Sequence, residues 1–225
     1  MMKDRNAQNT IVLIADTSPL QDHALFASLY EAMPEERRKK IDAFRPEGSR
    51  RQSLAAGVLL QEACRRFGIA GADGSVVLQD RGKPVFAARP EGHFNLSHSG
   101  ERAMCIISPC EAGCDVERIQ KLLWPVARRV FSASEQAELA RCEAEGRGEE
   151  VFCRLWTRKE SLIKALGSGF FEENIPDLQP PEGAVFYEIE RGDGYCYTCC
   201  LLEAEKDRAP QLVIIDLRGL QGNSL

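Results

Sequence analysis

The chain has 225 residues, 44% of them hydrophobic and 28% charged, a balance that allows a substantial buried core and excludes disordered, collagenous and low-complexity classes. Its net charge of -5 argues against the basic footprint of a general nucleic-acid binder. No apolar run is long enough to span a membrane and the opening MMKDRNAQNT has no hydrophobic signal stretch, so the expectation is a cytoplasmic protein without membrane or nucleic-acid partners.

The first nine residues read as a frayed tail, Ile11 to Ile14 as a short buried strand, and Asp22 to Met33 as a helix. A basic stretch follows, Arg37-Arg-Lys-Lys40 and then Arg50-Arg51, which fits either a polyanion contact or a solvated helix face. Ser49 to Phe67 is a longer helix: Leu54, Val58, Cys64 and Phe67 recur at helical spacing, and Gly68 is placed to end it. Val76 to Leu78, Phe94 to Leu96 and Ala103 to Ile107 read as strands, separated by Arg81-Gly-Lys-Pro and Ser97-His-Ser-Gly turns. After a turn at Pro109 to Gly113 come a strand from Cys114 to Ile119, a helical stretch from about Pro125, and a capped helix opened by Ser132 or Ser134. Glu149 to Leu166 is the clearest helix. Pro176 to Gly183 is a polar loop, and Val185 to Ile189, Tyr195 to Leu201 and Leu212 to Ile215 close the chain as strands. Helices with about three strands thus recur in 1–110 and 111–225, which suggests a duplication although no sequence repeat supports it.

The nine cysteines, an odd number without an export signal, are expected to be reduced and mostly buried. Cys110, Cys114, Cys196 and Cys199 offer four thiols, but in a strand Cys196 and Cys199 point to opposite faces, which is poor geometry for zinc.

Asp115-Val-Glu117 lies in a strand, so both carboxylates project from one face while Val116 enters the core. Like charges so placed call for a cation or a proton, and hard oxygen ligands suit magnesium; an exposed face partnered by Arg118 is the plainer alternative. In the last helix Phe152, Leu155, Trp156, Ile163 and Leu166 form an apolar stripe that places Glu160 on the inward face. Burying that carboxylate unpaired costs several kcal/mol, so it must meet a metal, a base or water. Lys164 supplies either a simple ion pair or, with Lys159, a phosphate-facing cation. His98 between two serines in a glycine-containing turn offers phosphate donors, whereas no serine-hydrolase elbow, dinucleotide fingerprint or phosphate loop is present.

Five segments then occur in a telling order: Gly82-Lys-Pro84, Phe94-Asn-Leu-Ser-His-Ser-Gly100, Gly113-Cys-Asp-Val-Glu117, Phe131-Ser-Ala-Ser-Glu135 and Leu155-Trp-Thr-Arg-Lys-Glu-Ser-Leu-Ile-Lys164. The chain resembles the Sfp-type 4'-phosphopantetheinyl transferases over roughly residues 34–170. The resemblance implies an α+β fold of two similar halves related by an approximate two-fold axis, with coenzyme A in the cleft between them and a monomer as the working unit. It implies that residues 1–110 contact the coenzyme's phosphates and that 111–225 carry the metal and catalytic groups. The implied reaction moves the 4'-phosphopantetheine arm of coenzyme A to a serine of an apo acyl or peptidyl carrier protein, with magnesium at the pyrophosphate and adenosine 3',5'-bisphosphate released. By the same resemblance Asp115, Glu117 and Glu160 hold the metal, and Glu160, supported by Glu135, takes the serine proton. Lys159 and Lys164 contact the pyrophosphate, and Lys83, Pro84, Ser97, His98 and Lys39 contact the coenzyme. Glu36 and Gln52 stand where some members carry a basic residue, which leaves Arg37, Arg38 or Arg51 to substitute. Leu122, Leu123 and Trp124 fall in the segment that meets the carrier protein, unless they are core, and Arg128-Arg129 suits an acidic partner. The rival readings are a magnesium-dependent hydrolase of coenzyme A or nucleotide phosphoanhydrides, and a non-catalytic binding protein.

Overall fold

Strand β1 (Ile11–Asp16) is apolar at every position but its last, and the structure uses both of its faces. Antiparallel β5 (Arg102–Ser108) lies on one side, parallel β9 (Gln211–Ile215) on the other, and β4 (His93–Ser99) pairs beyond β5. Ile11, Leu13 and Ala15 pack towards the helices, while Val12 and Ile14 pack against a second sheet. A strand covered on both faces has no polar alternation to show. The computed structural model describes residues 9–79, 81–88, 91–168, 175–203 and 208–220. Apart from Asn9, the expected tail lies outside them.

Asp22 opens α1 (His23–Glu31) by accepting from the backbone N–H groups of Ala24 and Leu25, as short polar caps do. Helix α2 (Glu35–Asp42) follows, then α3 (Glu47–Phe67), whose Leu54, Val58, Leu59 and Cys64 are fully buried in the core that α3 forms with β1 and β5. Gly68, at φ 81°, ends it in the left-handed conformation that a side chain would disfavour.

The second sheet has the order β6-β8-β7, all antiparallel, from β6 (Ala112–Arg118), β7 (Val185–Glu188) and β8 (Tyr195–Leu201). Its inner face meets the first sheet through Cys114, Val116, Tyr197 and Cys199. Its outer face carries α6 (Gly148–Leu166). Helices α4 (Trp124–Val130) and α5 (Ala133–Ala144) pack with the first half of α6 around Phe131, Leu139 and Leu155. Ser132, not Ser134, caps α5, in a reciprocal box with Glu135. The result is a stack of helices, sheet, sheet and helix, of the mixed α+β class that the resemblance implies. Among the described residues no helix is long and apolar enough to cross a membrane, and all nine cysteines are free.

Some sequence expectations give way. Ser97-His-Ser99 is strand rather than turn: β4 stays in register with β5 as far as Ser99 opposite Arg102, and the reversal falls on Gly100 and Glu101. The Gly82 turn joins β2 (Val76–Leu78) to β3 (Pro84–Phe86), a strand too short for its apolar pattern to reveal. Strand β9 returns from the end of the chain to pair with β1, so the strand grouping crosses the 110/111 division.

Candidate active site

Alternate residues of β6 point opposite ways, so Val116 enters the inter-sheet core while Gly113, Asp115 and Glu117 share the α6 side. Gly113 sets the distance. A Cβ there would lie 2.1 Å from the Ser161 carbonyl and 2.4 Å from the Ala165 nitrogen, so α6 rests directly on the strand's backbone. From α6, Lys164 reaches over and places Nζ 2.6 Å from Asp115 Oδ1.

The edge of β4 holds the same two acids from the other side. Ser97 Oγ donates to Asp115 Oδ1 (2.7 Å) and Ser99 Oγ donates to Glu117 Oε2 (2.6 Å). The side chains of Asn95, Ser97 and Ser99 also accept from the backbone N–H groups of Cys114, Val116 and Arg118, at 3.0, 3.3 and 3.2 Å. Every second side chain of β4 thus takes the part a neighbouring strand's carbonyls would play, tying one sheet edge to the other.

Glu160 sits at the margin of the buried face of α6. Val151, Leu155, Leu162 and Ile163 are buried, whereas Leu166 is exposed and Trp156 half-buried, so the apolar stripe is narrower than its sequence pattern. Burial, followed by the nearby Asp115 and Glu117 charges, pushes the Glu160 carboxyl up to about 7 against the opposing pull of Lys164. Burial, with Asp115 adding to it, also raises Glu117. Asp115 Oδ2 is buried and has no hydrogen-bond partner. Among the described residues no group of three or more His, Cys, Asp or Glu side chains gathers as a metal-binding cluster.

Opposite this acidic wall lies a basic one, and between them is a cavity of about 360 Å³. Arg37 and Lys40, one helical turn apart on α2, line it together with Arg81 from the β2–β3 turn. Gly57 on α3 leaves room for the Arg37 stem, whose Cδ would stand 3.1 Å from any Cβ there. Neither Arg37 nor Lys40 has an ion-pair partner among the described residues, and burial holds both below their usual range. His98 faces the same space, pushed down first by burial and then by the Lys164, Lys40 and Arg37 charges. Glu160 and Lys164 are the contribution of α6 to the lining. The surplus of cations gives the cleft a positive field, which favours anions.

Comparison with known proteins agrees. The 4'-phosphopantetheinyl transferase superfamily model matches residues 111–211. A 4'-phosphopantetheinyl transferase of Bacillus subtilis is 30% identical over 173 residues, which is 74% of this chain and 75% of the relative. The chain belongs to the 4'-phosphopantetheinyl transferase superfamily. The transferase Sfp of Bacillus subtilis (strain 168) is also 30% identical, over 73% of this chain and 74% of its own. The transferase AcpT of Salmonella typhi is 38% identical over 131 residues, 56% of this chain and 65% of its own.

Of the residues that the resemblance selected, Lys83, Pro84, His98, Glu160 and Lys164 line the cleft, and Asp115 and Glu117 stand behind Lys164 and the β4 serines. Ser97 is buried, and its hydroxyl, donating to Asp115 while accepting from Val116 and Lys164 (3.1 Å), has no capacity left for a phosphate. Three residues lie elsewhere. Lys39 faces solvent between Glu35 and Glu36, 2.9 Å from each. Arg51 pairs with Glu47 at 3.6 Å, beside Leu20 and Phe26. Lys159 is buried on another side of α6, 3.0 Å from Glu135, because adjacent helical residues point about 100° apart. Glu135 accepts from Lys159 and from the Ser132 backbone N–H through Oε2.

Sequence reasoning held Lys40 only as one of the four cations of the basic run and missed Phe44 and Ser53 in the lining. Ser53 is buried with an unpartnered hydroxyl, the kind of group that a ligand satisfies. The available signal was the three-residue step from Arg37 to Lys40.

Proposed function

We propose that the chain transfers the 4'-phosphopantetheine group of coenzyme A to a serine hydroxyl of an apo carrier protein and releases adenosine 3',5'-bisphosphate. The observation that carries this reading is a cleft in which Arg37 and Lys40, without ion-pair partners among the described residues, face Glu160, whose carboxyl feels the Asp115 and Glu117 charges behind it. Coenzyme A is a polyanion whose diphosphate must be broken beside groups that steady the charge on the leaving phosphate.

In this reading Arg37, Lys40 and Arg81 hold the phosphates of the coenzyme and neutral His98 and Ser53 add hydrogen bonds. Lys164 faces the diphosphate. The serine oxygen forms a bond to the phosphorus bearing the pantetheine arm, the bond from that phosphorus to the bridging oxygen breaks, and adenosine 3',5'-bisphosphate leaves with the electron pair. Glu160 accepts the serine proton. A carboxyl held near neutrality by burial suits a general base at physiological pH.

Magnesium fits the donor set, since the orphaned Asp115 Oδ2 and the raised Glu117 and Glu160 are all relieved by a hard cation. Asp115, Glu117 and Glu160 would hold it. Magnesium keeps waters and substrate phosphate oxygens in its shell, so a closed cage of protein ligands is not required. When bound it neutralises charge on the diphosphate.

The carrier protein meets the surface next to Glu117. There Leu123 is 51% exposed, whereas Leu122 and Trp124 pack against the core of α4–α6. The exposed Arg128 and Arg129 complement an acidic partner. The whole cleft lies within one chain, so a monomer suffices, with 1–110 and 111–225 as two related halves and β9 handed back to the first.

The test is to incubate the protein with magnesium, coenzyme A and an apo carrier protein and to weigh the carrier. A gain equal to the phosphopantetheine arm is expected. An unchanged carrier with consumed coenzyme A makes the protein a hydrolase instead, and an unchanged carrier with intact coenzyme makes it a binding protein.

A further inference from the structure

Lys83 lines the cleft with its stem, but its ammonium is turned into the protein. Nζ stands 2.5 Å from Glu111 Oε2 and donates to the Ala165 carbonyl at 2.7 Å, and the side chain is 7% exposed. At most one of its three donors remains for an anion. Glu111 binds His93 Nδ1 through its other oxygen, at 3.2 Å.

Each partner belongs to a different part of the site. Ala165 lies in the last turn of α6, where backbone carbonyls lack helical partners and a cation opposes the helix dipole. That turn also carries Lys164. Glu111 immediately precedes β6, and its carbonyl accepts from Leu202 N at 2.8 Å, just past β8. His93 opens β4. Gly167, at φ 67°, leaves room for the Lys83 stem under the helix end, where a Cβ would come 3.0 Å from Cδ. Donation from His93, then from Lys83, holds the Glu111 carboxyl at about 2, so it remains charged throughout the working range.

We propose that Lys83, Glu111 and His93 form a strut that fixes the last turn of α6 and the start of β6 against the Gly82–Pro84 turn, with Glu111 as a positioning residue for coenzyme binding. This rests on the transferase reading above. Lys83 then supports the cleft rather than gripping a phosphate. The two roles predict opposite behaviour at Glu111: as a strut partner it aids binding, whereas beside a phosphate ligand it would only compete for the ammonium.

The experiment measures kcat and KM for coenzyme A, 3'-dephospho-coenzyme A and the carrier protein, with magnesium, in the wild type, Glu111→Gln, Glu111→Asp, Lys83→Met and the double variant Glu111→Gln/Lys83→Met. Glu111→Gln and Lys83→Met are each expected to raise KM for coenzyme A about 10-fold, as loss of an outer partner does. The rise is the same for the dephospho form, KM for the carrier stays put, Glu111→Asp recovers part of the loss, and the double variant is no worse than Lys83→Met alone. Wild-type KM in Glu111→Gln, additive losses in the double variant, or a selective loss for coenzyme A over its dephospho form in Lys83→Met overturns the strut. Should Lys83→Met fail to fold, the Glu111 pair decides alone. A wild-type protein that modifies no carrier overturns the transferase reading instead, which keeps the two failures distinct.

Discussion

On the acidic wall of the cleft Asp115 is held by Ser97 and Lys164, and Glu117 by Ser99, whereas on the basic wall Arg37 and Lys40 have no ion-pair partner among the described residues. The first arrangement fixes oxygens before any ligand arrives, which is how a site stabilises charge that develops during reaction. The second leaves both cations under the strain of burial, to which the Arg37 charge adds at Lys40, a strain that an arriving polyanion relieves. In the proposed reaction the contrast divides the labour: changes on the acidic wall are expected to act on turnover, and changes on the basic wall on coenzyme affinity.

The sharpest way to break that division is Glu160→Gln. The amide keeps the shape and removes the base, so kcat for carrier modification is expected to fall by about 10³-fold while the thermal midpoint holds or rises, because a buried carboxyl that resists ionisation is a burden on the fold. Turnover at the wild-type rate would remove Glu160 from the mechanism.

Gly113→Ala strikes the same wall through packing. The new methyl group would meet the Ser161 carbonyl and the Ala165 nitrogen, both backbone atoms that move only if α6 moves. A loss of about 3 kcal/mol in denaturant unfolding is expected, at the upper end for overpacking, accompanied by lower kcat because α6 carries Glu160 and Lys164. Unchanged stability would show that the helix does not rest on the strand at this point.

Much of the acidic wall was legible in advance because it depends on local periodicity. A two-residue step in a strand put Asp115 and Glu117 on one face, and a carboxylate within an apolar helical pattern marked Glu160. The same periodicity separates the neighbouring Lys159, which a step of one residue turns about 100° from Glu160 while a step of four returns Lys164 to its side, yet the resemblance grouped the two lysines; in the fold Glu135 on another helix takes Lys159. Ser97-His-Ser-Gly looked like a turn because its residues favour turns, yet pairing with β5 and the side-chain ladder to β6 outweigh that local preference. The polar alternation of Asn95, Ser97 and Ser99 was the clue that a strand edge needed partners. The basic wall was least legible. A run of four cations covers every face of a short helix, and only the packing of α2 on α3, where Gly57 admits the Arg37 stem, selects Arg37 and Lys40 over Arg38 and Lys39.

That selection yields the smallest effect and the most direct test of the contrast between walls. Lys40→Ala removes a cation that lines the cavity, and Lys39→Ala removes its neighbour, which is 59% exposed between two glutamates. The first is expected to raise KM for coenzyme A about 10-fold, the loss of one charge-assisted contact worth about 1.5 kcal/mol, with kcat unchanged. The second is expected to stay within about two-fold of wild type, as exposed helical ion pairs contribute little. Added salt should shrink the Lys40 effect by screening the attraction it supplies. Equal losses from the two substitutions would mean that α2 presents a different face to the ligand than the one packed here, and the basic wall would have to be rebuilt around Lys39.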